Sequence, residues 1–181
     1  MGLLRSDRKQ GGCDLAETQP SGDQATFDPS GPVLVAVDFS NDSEVALTWA
    51  CRYATLAGTG LTVLHVVHDP GEGPGYYRLG EEDALRPMED VAKEMLEEFL
   101  EKAREDHPEV AAVAQMDTKL VRGIPASRIL EAAESVGAGL IVMGSRGRTG
   151  LPHLLLGSKA ERVVQLSPVP VTIVKGERSV S

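Results

Sequence analysis

Gly144, Gly147, Gly157 and Ser158 carry the most informative spacing in the chain: two glycines three residues apart, nine intervening residues, then a glycine followed by a hydroxyl. Gly144 and Gly147 directly follow the apolar run Leu140 to Met143. A missing Cβ there lets backbone N–H groups turn toward a phosphate and form an anion-binding concavity. Gly157 and Ser158 open a predicted helix, whose unpaired first-turn N–H groups and positive dipole end make a second anion site. From Gly144 to Arg162 the charged residues are Arg146, Arg148, Lys159 and Arg162 against Glu161 alone, so an anion is expected here if anywhere. Each feature also has a ligand-free reading. Ser158 with Glu161 makes an S-x-x-E capping box. Lys159 adds modest weight to the anion reading, because a cation in a first helical turn opposes the dipole unless a phosphate neutralises it. Asp38, after a predicted strand, can cap the next helix or accept hydrogen bonds from a ribose hydroxyl or an adenine amine.

Other chemistries fit poorly. A P-loop needs G-x-x-x-x-G-K-[ST], whereas Gly157 is followed by Ser158 and then Lys159, and no G-x-G-x-x-G follows the first strand. Position 143 is Met, so Ser145 is not in a G-x-S-x-G nucleophile elbow. His65 and His68 are three apart in a predicted strand and so face opposite ways, which disfavours a shared metal. Cys51 lies within a predicted helix with no His or acid three or four residues away, the setting of a buried structural thiol; Cys13 is remote from it, and no CxxC occurs.

The elements that must position these residues are read from periodicity. Val33–Val37 and Leu61–Val67 are continuous apolar, β-branched runs of the kind buried on both faces of a parallel sheet. Between them Ser40 is a candidate N-cap, Asp42 and Glu44 suit a first turn, Val45, Ala46, Trp49, Tyr53 and Ala57 keep helical spacing, and Gly58 stops the helix. A Gly/Pro-rich loop from Pro70 to Gly75 is irregular enough to serve as a lid. Leu85, Met88, Ala92, Met95, Phe99 and Ala103 mark an amphipathic helix. Thr118–Val121, Leu140–Met143 and Val171–Val174 read as strands, Pro125–Val136 as a helix with Ile129, Leu130 and Ala133 inward, and a last helix begins near Ser158 and closes before Pro168. Strands alternating with helices predict an α/β fold, a doubly wound, Rossmann-like, five-stranded parallel sheet with helices on both faces. Such sheets bind ligands at the carboxyl ends of their strands, where Asp38, Val67 to Asp69, Arg122-Gly123 and Gly144 to Gly147 fall.

Composition bounds the function. The 181 residues are 41% hydrophobic and 25% charged, enough for one core, and no apolar run of membrane-spanning length occurs. A net charge of −9 repels nucleic acid. Glu81 to Glu109 alone holds twelve acidic and four basic residues, a solvated helix face. Residues 1–30 lack any apolar period and are expected to be a disordered tail, with a domain over 31–176 and a short C-terminal tail over 177–181. Without a recognisable secretory signal, the expected compartment is the cytoplasm.

Gly144-x2-Gly147-x9-Gly157-Ser158 resembles the G-2x-G-9x-G-[S/T] motif of the ATP-binding branch of the universal stress protein family. Asp38-Phe39-Ser40, His65-Val66-Val67, Arg122-Gly123-Ile124-Pro125, Gly147-Arg148-Thr149-Gly150 and the stretch from Gly157 to Val164 recur in family order, so the resemblance covers about residues 31 to 176. It implies ATP with Mg²⁺, Asp38 at the ribose or adenine end, the backbone of Ala36 and Val67 lining the base pocket, and Gly144, Arg146, Gly147, Gly157, Ser158 and Lys159 around the phosphates, with Met143 also among the nucleotide contacts. Arg146 stands where the family often has His, and Lys159 where it often has a small or aliphatic residue; both additions are expected to favour phosphate retention. The resemblance also implies a homodimer through the last strand, with Val171 and Ile173 at the interface. Pro170, lacking an N–H, suits the start of an edge strand. The function implied is a cytoplasmic stress-response or signalling module whose binding to a protein partner changes with nucleotide occupancy. A slow ATPase or phosphoryl-transfer enzyme is the alternative within the enzyme class, although only Asp38 and Ser158 are on offer for chemistry. A nucleotide-free dimeric scaffold is the third reading.

Overall fold

A computed structural model of the protein describes residues 28–67, 88–111, 113, 116–147 and 156–176. The tail up to residue 27 with Cys13, the Gly/Pro-rich loop with His68, Asp69 and Leu85, Arg148 to Gly150, and residues 177–181 lie outside the described residues. The elements follow the order β1 (Val33–Val37), α1 (Asn41–Ala57), β2 (Leu61–Val67), α2 (Met88–Asp106), α3 (Pro108–Ala111), β3 (Met116–Arg122), α4 (Pro125–Val136), β4 (Leu140–Gly144), α5 (Ser158–Leu166) and β5 (Val171–Val174). The five strands form one parallel sheet in the order β3-β2-β1-β4-β5. From β1 the chain winds outward through β2 to β3, then crosses back to β4 and β5, which places the reversal of winding between β1 and β4. At such a switch point the two flanking connections leave in opposite directions and open a crevice.

The central strands β1, β2 and β4 are buried from both sides. On one face Val33, Val35, Val37, Val63 and Val142 pack against Leu47, Ala50 and Cys51 of α1 and Leu96 and Leu100 of α2. On the other, Leu34, Leu64, Ile141 and Met143 meet Ala126, Ile129 and Ala133 of α4 and Ala160 and Val163 of α5. This alternation along β1, β2 and β4 explains why those strands read as largely apolar runs, whereas β3 at the sheet edge is partly exposed. The acidic face of α2 is exposed along Glu89, Asp90, Glu97, Glu98 and Glu101, as its pattern predicts.

Local signals set the helix ends. Ser40 is the N-cap of α1, its hydroxyl accepting the Ser43 N–H at 3.3 Å, and Gly58 closes the helix in the left-handed region at φ 66°. The buried face of α1 differs from the expected one: Ala46, Leu47, Ala50, Cys51 and Ala54 face the sheet, while Tyr53 is 39% exposed and Ala57 is exposed. The inward stripe falls at the three- and four-residue steps 43, 46, 47, 50, 51 and 54, which turns positions 53 and 57 away from the sheet. Strand β3 is longer than expected, and the short α3 gave no periodic signal in four residues.

Candidate functional site

After Val37, the Asp38 carboxylate folds over its own turn, with Oδ1 accepting the Ser40 N–H at 3.2 Å and the Ser40 hydroxyl at 2.5 Å. This closes the turn into α1 and leaves Oδ2 on the side of Gly147, where a Cβ on residue 147 would stand 2.5 Å away. Between them Phe39 adopts φ 65°, a left-handed conformation that non-glycine residues rarely hold and that costs on the order of 1–3 kcal/mol. Its ring stacks on His65 with centroids 4.2 Å apart and meets Phe99 edge-on at 5.6 Å. His65, 3% exposed, donates from Nδ1 to the Val37 carbonyl at 2.8 Å, so it serves the core of the β1–β2 pair.

Asp42, in the first turn of α1, is 7% exposed and reaches across the crevice to the end of β4. Its Oδ2 accepts the Ser145 hydroxyl at 2.7 Å, the Arg146 N–H at 3.1 Å and Arg146 Nε at 3.3 Å. The Gly176 N–H, just past β5, donates to the same carboxylate. Burial pushes this carboxyl up, but the hydrogen bonds from Ser145 and Arg146, the guanidinium charge and the Gly176 N–H outweigh it and hold the group below the usual carboxylate range. Arg146 was expected at the phosphates. The structure turns its Nε to Asp42, which offsets much of the positive charge it would bring there.

Ser145 is 3% exposed, and all its polar groups are committed: N–H to the Val174 carbonyl at 2.7 Å, carbonyl to the Gly157 N–H at 2.8 Å, hydroxyl to Asp42. The end of β4 is thereby tied to the end of β5 and to the entry of α5. Gly144 packs where a Cβ would lie 2.8 Å from the Asp42 carbonyl carbon, so its glycine serves the approach of β4 to α1. A Cβ on Gly157 would meet nothing described closer than the Ser145 carbonyl at 3.5 Å.

Gly157, not Ser158, is the N-cap of α5, at φ −72° and ψ 146°, and no side chain caps the first turn. The expected Ser158–Glu161 capping box is therefore not formed: Ser158 occupies the first helical position, where its exposed side chain is one residue too late to cap. The Ser158, Lys159 and Ala160 N–H groups precede the first intrahelical bond, from Glu161 N–H to the Gly157 carbonyl at 2.9 Å. Lys159 is exposed beside them. At the other end of the crevice, half-buried Ala36 lies in the ladder between Leu64 and Met143, and the Val67 carbonyl accepts the Gly123 N–H at 3.0 Å. Met143 is buried in the core beneath α4 and α5. The structure thus brings Asp38, Gly144, Arg146, Gly147 and Gly157 together where β1 and β4 end and α5 begins, with Ser158 and Lys159 in the first turn of that helix.

The universal stress protein family model matches residues 30–175, nearly the whole described chain. The chain belongs to the universal stress protein family. This family member is 37% identical over 147 residues to universal stress protein YxiE of Bacillus subtilis, covering 79% of this chain and 97% of that one. It is also 37% identical over 153 residues to a Mycolicibacterium smegmatis universal stress protein, covering 84% of this chain but 48% of the relative, so it spans about half that protein's length. Among solved structures, the universal stress protein of Archaeoglobus fulgidus in complex with dAMP superposes with a TM-score of 0.56 at 26% identity, covering 80% of this chain and 98% of that one.

Sequence reasoning missed Asp42 as a member of the site. Its position in a first turn rich in acid had a sufficient local explanation, and its partners lie more than a hundred residues away. The reading of Cys51 as a structural thiol agrees with its burial, which, with the Glu109 charge adding to it, pushes the thiol up to about 12, far from a reactive thiolate. Among the described residues no group of three or more His, Cys, Asp or Glu could hold a metal ion, and no helix is long and apolar enough to cross a membrane.

Proposed function

We propose that this protein binds an adenine nucleotide, ATP with Mg²⁺, in the crevice between β1 and β4, and that occupancy changes its binding to a protein partner in a cytoplasmic stress response. The observation that carries the reading is the start of α5: three first-turn N–H groups without a side-chain cap, a glycine whose missing Cβ the described chain does not require, and an exposed lysine at the second helical position. Anions are stabilised at such helix starts by the N–H groups and the dipole together. Ser158, Lys159 and the Gly157 turn would hold the phosphates, and Asp38 would face the ribose or base. Mg²⁺ would come with the phosphates, which supply the oxygen ligands the described residues do not gather. The dAMP complex of the Archaeoglobus fulgidus relative supports the choice of an adenine nucleotide.

The same reading makes the protein a homodimer through β5, the sheet edge. Ile141 donates to the Pro170 carbonyl and Ser145 to the Val174 carbonyl, so residues 170, 172 and 174 turn their backbone groups to β4, and Val171 and Ile173 turn theirs outward by alternation. Ile173→Pro removes an outward N–H and is expected to give a folded monomer by light scattering; a dimer at micromolar concentration would remove β5 from the interface.

Mass spectrometry of the small molecules released on denaturing purified protein tests the nucleotide directly. The expected result is an adenine nucleotide. An empty protein that also fails to bind ATP in a calorimetric titration would overturn the reading.

A further inference from the structure

We propose that Asp42 is the positioning residue of the anion site, holding the Ser145–Arg146 turn and, through Ser145, the first residue of α5 in the geometry that receives phosphates. The inference rests on the nucleotide reading for its ligand and on the hydrogen-bond chain for its mechanism. Every described group that hydrogen-bonds to the Asp42 carboxylate is a donor: the Ser145 hydroxyl, the Arg146 N–H, Arg146 Nε and the Gly176 N–H. An ionised carboxylate only accepts, so it can satisfy all four, whereas an asparagine would turn its NH₂ against at least one of them. A carboxylate this buried is otherwise costly, and the surrounding donors repay its desolvation only while they stay in place. The site therefore specifies an anion at position 42 and fixes the donors around it.

The consequence for α5 passes through one residue. Ser145 joins Asp42 by its hydroxyl, β5 by its N–H and Gly157 by its carbonyl, with no polar group left over. Releasing the hydroxyl frees the turn to rotate, and the Gly157 N–H loses a fixed acceptor. Arg146 is released at the same time, because both its Nε and its N–H rest on the same carboxylate oxygen. The described partners of the Asp42 carboxylate are Ser145, Arg146 and Gly176, all protein donors, so its effect is on placement.

The test compares Asp42→Asn and Ser145→Ala with wild type in the full chain by two readouts. Amide exchange followed by NMR is expected to quicken by about tenfold at Arg146 and Gly157 in Asp42→Asn, the consequence of losing one charged acceptor, with Val35 and Val142 in the central strands changing far less. Calorimetric titration is expected to show ATP weakened by roughly tenfold and adenosine by less than about twofold. Ser145→Ala, which keeps the carboxylate and cuts only the link, should show the same selectivity in both readouts at a smaller amplitude, and it stands in if Asp42→Asn does not fold. Exchange unchanged at Arg146 and Gly157, or raised uniformly through the sheet, would overturn the positioning role, as would equal weakening of ATP and adenosine. If wild type binds no nucleotide, the nucleotide reading fails and the exchange pattern alone still decides whether Asp42 holds the turn.

Discussion

Gly144 and Gly147 stand where a Cβ would strike the chain, 2.8 Å from the Asp42 carbonyl carbon and 2.5 Å from Asp38 Oδ2, whereas a Cβ on Gly157 would find its nearest described neighbour at 3.5 Å. The three glycines belong to one motif, yet the first two meet demands of the fold and the third leaves space that no described residue fills. At Gly144 the obstacle is backbone, which moves only if β4 and α1 separate; at Gly147 it is the end of a side chain, which can swing. A motif glycine is thus a compound signal: part of it sets how closely elements pack, and part marks where something else must fit.

The largest expected effect on stability lies at Gly144. Gly144→Val would overpack the β4–α1 contact and is expected to cost about 1–3 kcal/mol in urea unfolding. A variant as stable as wild type would show that the close approach is not what this glycine serves. Acid stability probes the same contact through Asp42. Its folded carboxyl binds a proton less readily than the unfolded chain does, so the unfolded state takes up more protons as the pH drops. The stabilisation is complete above the ordinary aspartate value of about 4 and is lost as pH falls through the lower folded value. Asp42→Asn should lower stability at neutral pH and flatten the decline below about pH 5 relative to wild type; an unchanged acid slope would remove Asp42 as its source. Gly147→Ala is expected to be milder, about 1 kcal/mol or less, because the Asp38 carboxylate can shift. A loss matching that of Gly144→Val would mean that Asp38 is held as rigidly as backbone.

Local patterning made much of the fold legible. The limits of β1, β2 and β5 coincide with their apolar runs, and both ends of α1 follow from Ser40 and Gly58, because buried parallel strands and helix caps are determined by neighbours in sequence. What the sequence concealed depends on distant partners or on a shift of one residue. Ser158 and Glu161 have the spacing of a capping box, but the helix begins so that Gly157 takes the cap position, and no local rule separates those two starts. The family resemblance implies Arg146 at the phosphates; the carboxylate that claims it lies 104 residues earlier. That Asp38 and the first two glycines fall at the carboxyl ends of strands was legible from the strand–helix alternation, but that β1 and β4 are neighbours emerges only in the folded sheet.

Gly157→Val tests the central claim, that this glycine leaves room for a phosphate, most directly. The extended backbone at φ −72° and ψ 146° accepts a β-branched residue without strain, so stability should change by no more than about 1 kcal/mol, mostly from the poorer N-cap. Calorimetric titration of ATP and adenosine into the folded wild type and variant should show ATP weakened by one to two decades, equivalent to losing about 1.5–3 kcal/mol of charge-assisted contact, with adenosine nearly unchanged. Equal ATP affinity in the two proteins would contradict it.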